Sequence, residues 1–411
     1  MLPPFRPAAL LMLAFSACEQ SSTPTDPEPL IDELPRPLTQ SETGIIDAGN
    51  KFTFDLFRQA VRALPPDSNA FLSPFSASMA LGMAMNGAAG PTLTAMQGAL
   101  RVGGMPLSDV NQGYRGLLAL YTSIDRTTDL LVANSVWVDQ GFPIRAEFLA
   151  SARDFFSAEA RTLDLQTEGL AAINGWVKEK THDRIPTLLE QISSDEIAFL
   201  VNAIYFKGRW RIPFDPKRTT PQPFLSAGGV SHDVPTMVLD EKVRFASRPG
   251  YSAADLLYGN GAFAMTILLP DEGSTPGSLL ATLTPETWRE LEASYHEARI
   301  VLSLPKFKLE YRRSLVEDLK ALGMGIAFDQ TQADFSGIAN VSPERLYLTQ
   351  VLQKAFVEVN EEGTEAAAAT GVGVGVTSMP PSMIVNRPFL FIIRERLSGT
   401  ILFIGQINEL Q

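Results

Sequence analysis

The feature that most limits the fold is a set of long apolar runs at irregular spacing. Residues 130–138 (LLVANSVWV), 197–206 (IAFLVNAIYF), 262–269 (AFAMTILL), 389–393 (FLFII) and 400–405 (TILFIG) contain no charged side chain. Such runs, rich in β-branched and aromatic residues, predict strands buried on both faces. Residues 262–269 and 299–304 each stop at a proline, and 389–393 with 400–405 reads as a hairpin. Residues 69–74 form a short strand that also ends at a proline. Helical spacing takes over at 45–64, where Ile46, Phe52, Leu56, Phe57, Ala60, Val61 and Leu64 share one face. Residues 76–100 are small and apolar and predict one buried helix. Further helices are predicted over 148–156, 169–180 and 314–322, the last ended by Gly323. Helices and strands mix without a βαβ rhythm, so the class is α+β rather than a doubly wound parallel sheet. The chain has 411 residues, 45% of them hydrophobic, and no Pro/Ser/Gly-rich linker divides it after residue 45. One large domain over 45–411 follows.

The beginning of the chain has a different character. Arg6 precedes an apolar run over 8–15, followed by Ser16, Ala17 and Cys18. A short apolar segment after a positive charge predicts an export signal over 1–17, not a membrane span. Small residues before a cysteine resemble a bacterial lipoprotein processing site, with Phe15 where leucine is usual. That predicts lipidation of Cys18 and a protein anchored at the bacterial outer membrane, or extracellular. An ordinary secretory signal with an incidental cysteine is the alternative. Residues 18–44, rich in Ser, Thr, Pro and Asp, predict a disordered tether. Cys18 is the only cysteine, so no disulfide staples the domain.

Several function classes are excluded by composition and motif. A net charge of −12 opposes general nucleic-acid binding and docking on anionic lipid, leaving a lipid anchor as the route to a membrane. The three histidines, His182, His232 and His296, form no metal-ligand pattern, and each sits beside a carboxylate in polar surroundings that reads as surface. No Gly-x-Ser-x-Gly elbow is present. Residues 371–375 (GVGVG) lack the flanking strand and helix of a nucleotide loop. The chain therefore reads as a non-enzyme without metal or cofactor.

Residues 364–377 (TEAAAATGVGVGVT) carry the functional argument. With strand alternation, Thr364, Ala366, Ala368, Thr370, Val372, Val374 and Val376 share one face. That face is small at its start and β-branched at its end, with no proline or charge. The alanines favour helix and the following glycines oppose it. The segment can thus be an exposed loop in one state and a strand in another; a flexible linker fits the same composition.

Residues 361–370 (EEGTEAAAAT) resemble the loop hinge of inhibitory serpins. Residues 69–76 (NAFLSPFS) resemble that family's shutter segment. Residues 199–210 (FLVNAIYFKGRW) resemble the third strand of its large sheet, running into the breach. Residues 304–307 (LPKF), 334–338 (DFSGI), 387–391 (RPFLF) and 402–405 (LFIG) follow in family order. The resemblance covers about residues 45–408 and is to a bacterial, inhibitory type of serpin. It implies three β-sheets, about eight or nine helices and an exposed reactive-centre loop over about 361–384. It also implies a suicide-substrate mechanism. A serine protease acylates itself on the loop, and the cut loop enters the large sheet as a new strand. The partner is then the target protease, held as a covalent acyl complex by a monomeric inhibitor. A non-inhibitory serpin that binds or carries a ligand is the alternative.

The resemblance assigns positions as well. The hinge is Glu362, Gly363, Thr364, Glu365, Ala366, Ala367, Ala368, Ala369 and Thr370. The family's usual interval from the hinge glycine puts the scissile bond between Thr377 and Ser378, and counting back from 387–389 gives the same bond. Cleavage after Val376 or Met379 is the alternative. Small β-branched residues before that bond suit a shallow specificity pocket, as in elastase-like or subtilisin-like proteases. Ser73, Ser76, Asn202, Trp210 and Gln353 fall at shutter and breach positions. Gln353 stands where the family usually has a histidine that would bond Asn202; glutamine can donate and accept but does not titrate.

The loop's own energetics do not drive insertion. Burying three valines contributes roughly 1.5–3 kcal/mol each, and each strand hydrogen bond about 1 kcal/mol net. Ordering about a dozen residues costs roughly 1–2 kcal/mol each, which nearly cancels both. The driving force has to come from the sheet that receives the loop.

Overall fold

The computed structural model describes residues 29–194, 196–339, 345–364 and 381–411. The first helix, α1 (Gln40–Arg62), opens on a capping box. Thr39 Oγ1 accepts from the Glu42 backbone N–H, and the Glu42 carboxylate accepts from that of Thr39. Then come β1 (Ala70–Leu72), α2 (Pro74–Met85), α3 (Gly90–Ala99), α4 (Leu107–Tyr121), β2 (Thr128–Asp139), α5 (Ala146–Phe156), β3 (Glu159–Leu163), α6 (Leu170–Lys180) and β4 (Ala198–Arg209). Next are β5 (Thr220–Leu225), β6 (Ser231–Arg248), β7 (Tyr251–Leu257), β8 (Phe263–Pro270), α7 (Pro276–Thr282), α8 (Pro285–Ser294) and β9 (His296–Pro305). The chain closes with β10 (Phe307–Ser314), α9 (Val316–Leu319), β11 (Leu352–Asn360), β12 (Gly363–Thr364), β13 (Ser382–Ile384), β14 (Phe389–Glu395) and β15 (Thr400–Ile407).

These strands form two hydrogen-bonded networks. One is six-stranded, in the order β10-β11-β12-β4-β2-β3. The other is nine-stranded, β1-β15-β14-β8-β7-β6-β9-β13, with β5 also on β6. Strand β6 hands its pairing from β5 and β9 to β7 along its length. Divided there, the larger network gives two leaves, and with the six-stranded sheet the three sheets expected from the resemblance. Strands β8, β14 and β15 are buried at every position, as unbroken apolar runs require. Phe71 stacks on Phe391 and Phe403 at 5.5 and 5.4 Å, tying β1 to the hairpin β14–β15. A second, smaller core under α6 joins Trp137, Ile173, Trp176, Val177, Phe199 and Val201.

Two expectations are corrected. The buried helix expected over 76–100 is two helices, because the chain turns at Gly87 to admit the loop before residue 340. A side chain on Gly87 would collide with Ile338, and the Gly337 N–H donates to the Gly87 carbonyl at 3.0 Å. The tether expected over 18–44 is replaced, over residues 29–44, by chain packed on the domain. Ile31 N–H donates to Asn260 O at 3.0 Å, Arg36 pairs with Glu42 at 2.5 Å, and Leu34 and Leu38 pack on the core. The short apolar side chains scattered through this polar stretch find a groove that composition does not reveal.

Candidate functional site

The site is the seam between β4 and β11. Strand β4 pairs antiparallel with β2 from Ala198 to Gly208, and β11 pairs with β10 from Leu352 to Val359. Among the described residues, no register joins β4 directly to β11. Only β12 stands between them, with Thr364 opposite Gly208 and Val359, and Gly363 opposite Arg209 and Asn360. Among the described residues, a two-residue strand is thus all that lies between β4 and β11, at one end of the seam.

The sequence explains why Gly363 fits. Its φ of 150° lies where a side chain is strained, and a Cβ there would run into the Gly208 carbonyl oxygen. Thr364 is 2% exposed, and its hydroxyl meets the Tyr258 hydroxyl at 2.8 Å. Tyr258 stacks on Trp210 with ring centres 4.5 Å apart. Trp210 in turn donates from Nε1 to Asn360 O at 2.9 Å and from its backbone to Glu362 O at 2.8 Å. Residues 360–364 are thus held by a floor of two stacked rings.

The preceding acids are treated differently by the fold. Glu361 meets Lys306 Nζ at 2.9 Å and the Thr219 hydroxyl at 2.8 Å. Burial pushes its carboxyl up, but hydrogen bonds from Lys306, its own backbone and Thr219 outweigh that and hold it below the usual range. Glu362 is pushed up by burial, with Glu361 adding repulsion against the attraction of Arg209. Its Oε2 is buried with no hydrogen-bond partner among the described residues.

Midway along the seam, the start of α2 clasps both strands. Gln353 Nε2 on β11 donates to Ser73 O at 2.7 Å, and Ser73 N–H donates back to Gln353 Oε1 at 2.9 Å. Ser73 Oγ donates to Leu402 O at 2.7 Å and accepts from the Ser76 N–H as the helix cap. Ser76 Oγ then donates to Asn202 Oδ1 on β4, and Asn202 Nδ2 donates to Asn134 Oδ1 at 2.7 Å. Asn134 Nδ2 ends the chain on Phe156 O at 2.6 Å. The direct bond expected between the 353 position and Asn202 is corrected here. Gln353 satisfies both amide groups on the Ser73 backbone and reaches Asn202 only through Ser73 and Ser76.

The segment after α6 lies over the outer face of the same seam. His182 packs edge-on against Tyr205 of β4 at 5.2 Å. The Arg184 guanidinium sits 5.2 Å over the Phe356 ring of β11, and Lys354 donates to Thr187 O at 3.3 Å.

Of the positions read from the sequence, the fold brings Ser73, Ser76, Asn202 and Gln353 into one hydrogen-bonded chain. It brings Glu362, Gly363, Thr364 and Trp210 into one corner. Glu365, Ala366, Ala367, Ala368, Ala369, Thr370, Thr377, Ser378 and Cys18 lie outside the described residues. Sequence reasoning missed Tyr258, Lys306 and Thr219. Tyr258 begins the turn YGNG over 258–261, and that glycine pair was a legible sign of tight backbone beneath it. Among the described residues no group of His, Cys, Asp and Glu is arranged to hold a metal ion, and no helix is long and apolar enough to cross a membrane.

Comparison with known proteins gives a consistent result. The family profile described as serpin (serine protease inhibitor) matches residues 47–410. Iripin-2 of Ixodes ricinus is 37% identical over 389 residues, covering 90% of this chain and 95% of that protein. The crystal structure of Tengpin, a thermophilic serpin, in its native state superposes with a TM-score of 0.83 at 28% identity, over 92% of this chain and 96% of that one. Human thyroxine-binding globulin in complex with its ligand superposes at 0.81 with 26% identity, over 90% and 99%. The ordered motifs, the seam with its two-residue wedge and these likenesses lead to one conclusion: the chain belongs to the serpin family.

Proposed function

We propose that the chain is a suicide-substrate inhibitor of serine proteases, with the Thr377–Ser378 bond as bait in a reactive-centre loop. The observation that carries this reading is Gly363–Thr364 paired between β4 and β11 as the start of a strand at the end of the seam. The protease serine attacks the Thr377 carbonyl, an ester forms, and the Ser378 amine leaves as the amide breaks. The freed strand continues the pairing that β12 begins, with Ala366, Ala368 and Thr370 following Thr364 inward. The protease travels with it and loses its deacylation geometry.

The small residues before the bond favour elastase-like or subtilisin-like targets. Mixing the protein with pancreatic elastase or subtilisin and running a denaturing gel tests the reading. A band at the summed mass, with a released fragment beginning at Ser378, is expected. Complete cleavage without a complex would sink it in favour of the carrier role, which the likeness to thyroxine-binding globulin supports. Export over residues 1–17 and lipidation of Cys18 belong to the same proposal. A Cys18→Ser variant is expected to leave the membrane fraction; retention there would remove the anchor from the account.

A further inference from the structure

Apolar exposure in this acidic protein is concentrated at one corner. Val230, Leu225 and Ile384 are 54%, 49% and 46% exposed, the three highest values for large apolar side chains among the described residues. Leu225 and Val230 flank one hairpin turn, and Ile384, far away in sequence, lies beside it in the fold. Leu225 ends β5, and its N–H donates to Asn386 O at 2.8 Å, two residues after Ile384. Leu225 also pairs with Ser231, the residue after Val230. The turn between them is closed by the Ser226 N–H on Val230 O at 2.8 Å and the Val230 N–H on Ser226 Oγ at 3.1 Å. The patch is therefore held on a fixed hairpin beside β13, an edge strand paired on one side with β9. Ile384 points outward from β13 while Met383 is buried.

Single exposed apolar residues are ordinary on a protein surface, but a contiguous group marks a contact site. Chain length indicates what the contact is. Ser378 to Ile384 spans at most about 20 Å of fully extended chain, wherever the loop lies. A protease of ordinary domain size is about 45 Å across, so one centred on the bond overhangs Ile384 and its neighbours. The corner thus lies under the protease's rim, at the margin of the roughly 800 Å² that a standard interface covers on each partner.

We infer that Leu225, Val230 and Ile384 form a second docking surface for the attacking serine protease, met by an apolar rim outside its active-site cleft. This rests on the reading of residues 365–380 as the loop that the protease attacks. Ile384 lies on the C-terminal side of the cut and Leu225 and Val230 lie on the β5–β6 hairpin, both on chain that stays behind when the acylated loop and protease move away. It therefore acts on encounter and not on trapping.

The test uses the full chain and whichever of pancreatic elastase and subtilisin it inhibits faster. Two quantities are measured: the Kd for the form of that protease with its nucleophilic serine changed to alanine, and the second-order rate of inhibition by the active form. A Leu225→Ser/Val230→Ser double variant is expected to weaken that Kd and slow inhibition by about tenfold. Ile384→Ser is expected to act in the same direction, with thermal stability and the stoichiometry of inhibition unchanged. Leu170→Ser, an exposed apolar residue on α6, is expected to change neither quantity. Unchanged Kd and rate in both patch variants overturn the surface while leaving the inhibitor reading intact, as does an equal loss with Leu170→Ser. If the wild-type chain forms no covalent complex with either protease, both fall together.

Discussion

Individual residues at the seam do separable jobs. Thr364 is buried with its hydroxyl on Tyr258, so Thr364→Arg forces a long cation into that space or ejects the hinge. The variant is expected to be cut as a substrate, with the stoichiometry of inhibition rising severalfold; persistent full trapping would remove strand entry from the mechanism. Glu361 sits below its ordinary value of 4.5, so its pairing with Lys306 stabilises above that pH and is lost as pH falls through the lowered value. Glu362, pushed up, acts in the opposite sense and is relieved on protonation. Glu361→Gln is expected to lower the first thermal transition at pH 7 by less than about 1 kcal/mol equivalent, since Lys306 is partly solvated. The gap between the variant and its parent is expected to close below pH 4.5, read from melting curves across that range. Farther away, Arg394 is 1% exposed and bonds Asp255 and Glu292, each at 2.8 Å. Arg394→Met leaves buried Asp255 to Arg244 and Thr266 and removes the partner of half-buried Glu292, and is expected to cost about 3 kcal/mol by denaturant titration.

At the scale of elements, α2 acts as a clasp between β11 and β4. Its hold on β11 is the paired bonds between Gln353 and the Ser73 backbone. Gln353→Ala leaves the buried Ser73 N–H unmet, while the Ser73 carbonyl keeps the Ala77 N–H, and is expected to destabilise by about 1–3 kcal/mol. The same variant is expected to convert faster to a loop-inserted, non-inhibitory form, measured as loss of inhibitory capacity on mild heating. The elements themselves were unevenly legible. The runs 262–269, 389–393 and 400–405 identify β8 and the hairpin β14–β15, because strands buried on both faces leave no alternation to misread, and 197–206 identifies β4 by its unbroken apolar content although one face is half-buried at its start. Strand β10 carries charge on most of its outer positions and α4 begins without a side-chain cap, so neither announces itself locally. The helix break at Gly87 depends on a loop 250 residues away in sequence, from Gly337. Of the site, Gly363 and Thr364 were readable from strand alternation and the hinge resemblance, whereas Tyr258 becomes a floor only when the turn over 258–261 meets β4.

For the whole molecule, the proposed mechanism locates the driving force in the six-stranded sheet, where β12 is the only strand among the described residues between β4 and β11. The six-stranded sheet holds β4 and β11 apart with a two-residue wedge, while α2 and the segment after α6 bridge them. On the proposed mechanism, completing the strand adds backbone hydrogen bonds along both edges at once, a gain no single residue reveals. The insertion claim is tested most directly by comparing the thermal unfolding of the intact chain with that of the chain cut once after Thr377 by a protease that escapes trapping. The account predicts a cut form that unfolds at a substantially higher temperature, because the loop has become a full strand between β4 and β11. A cut form that unfolds at the same temperature or lower would contradict it.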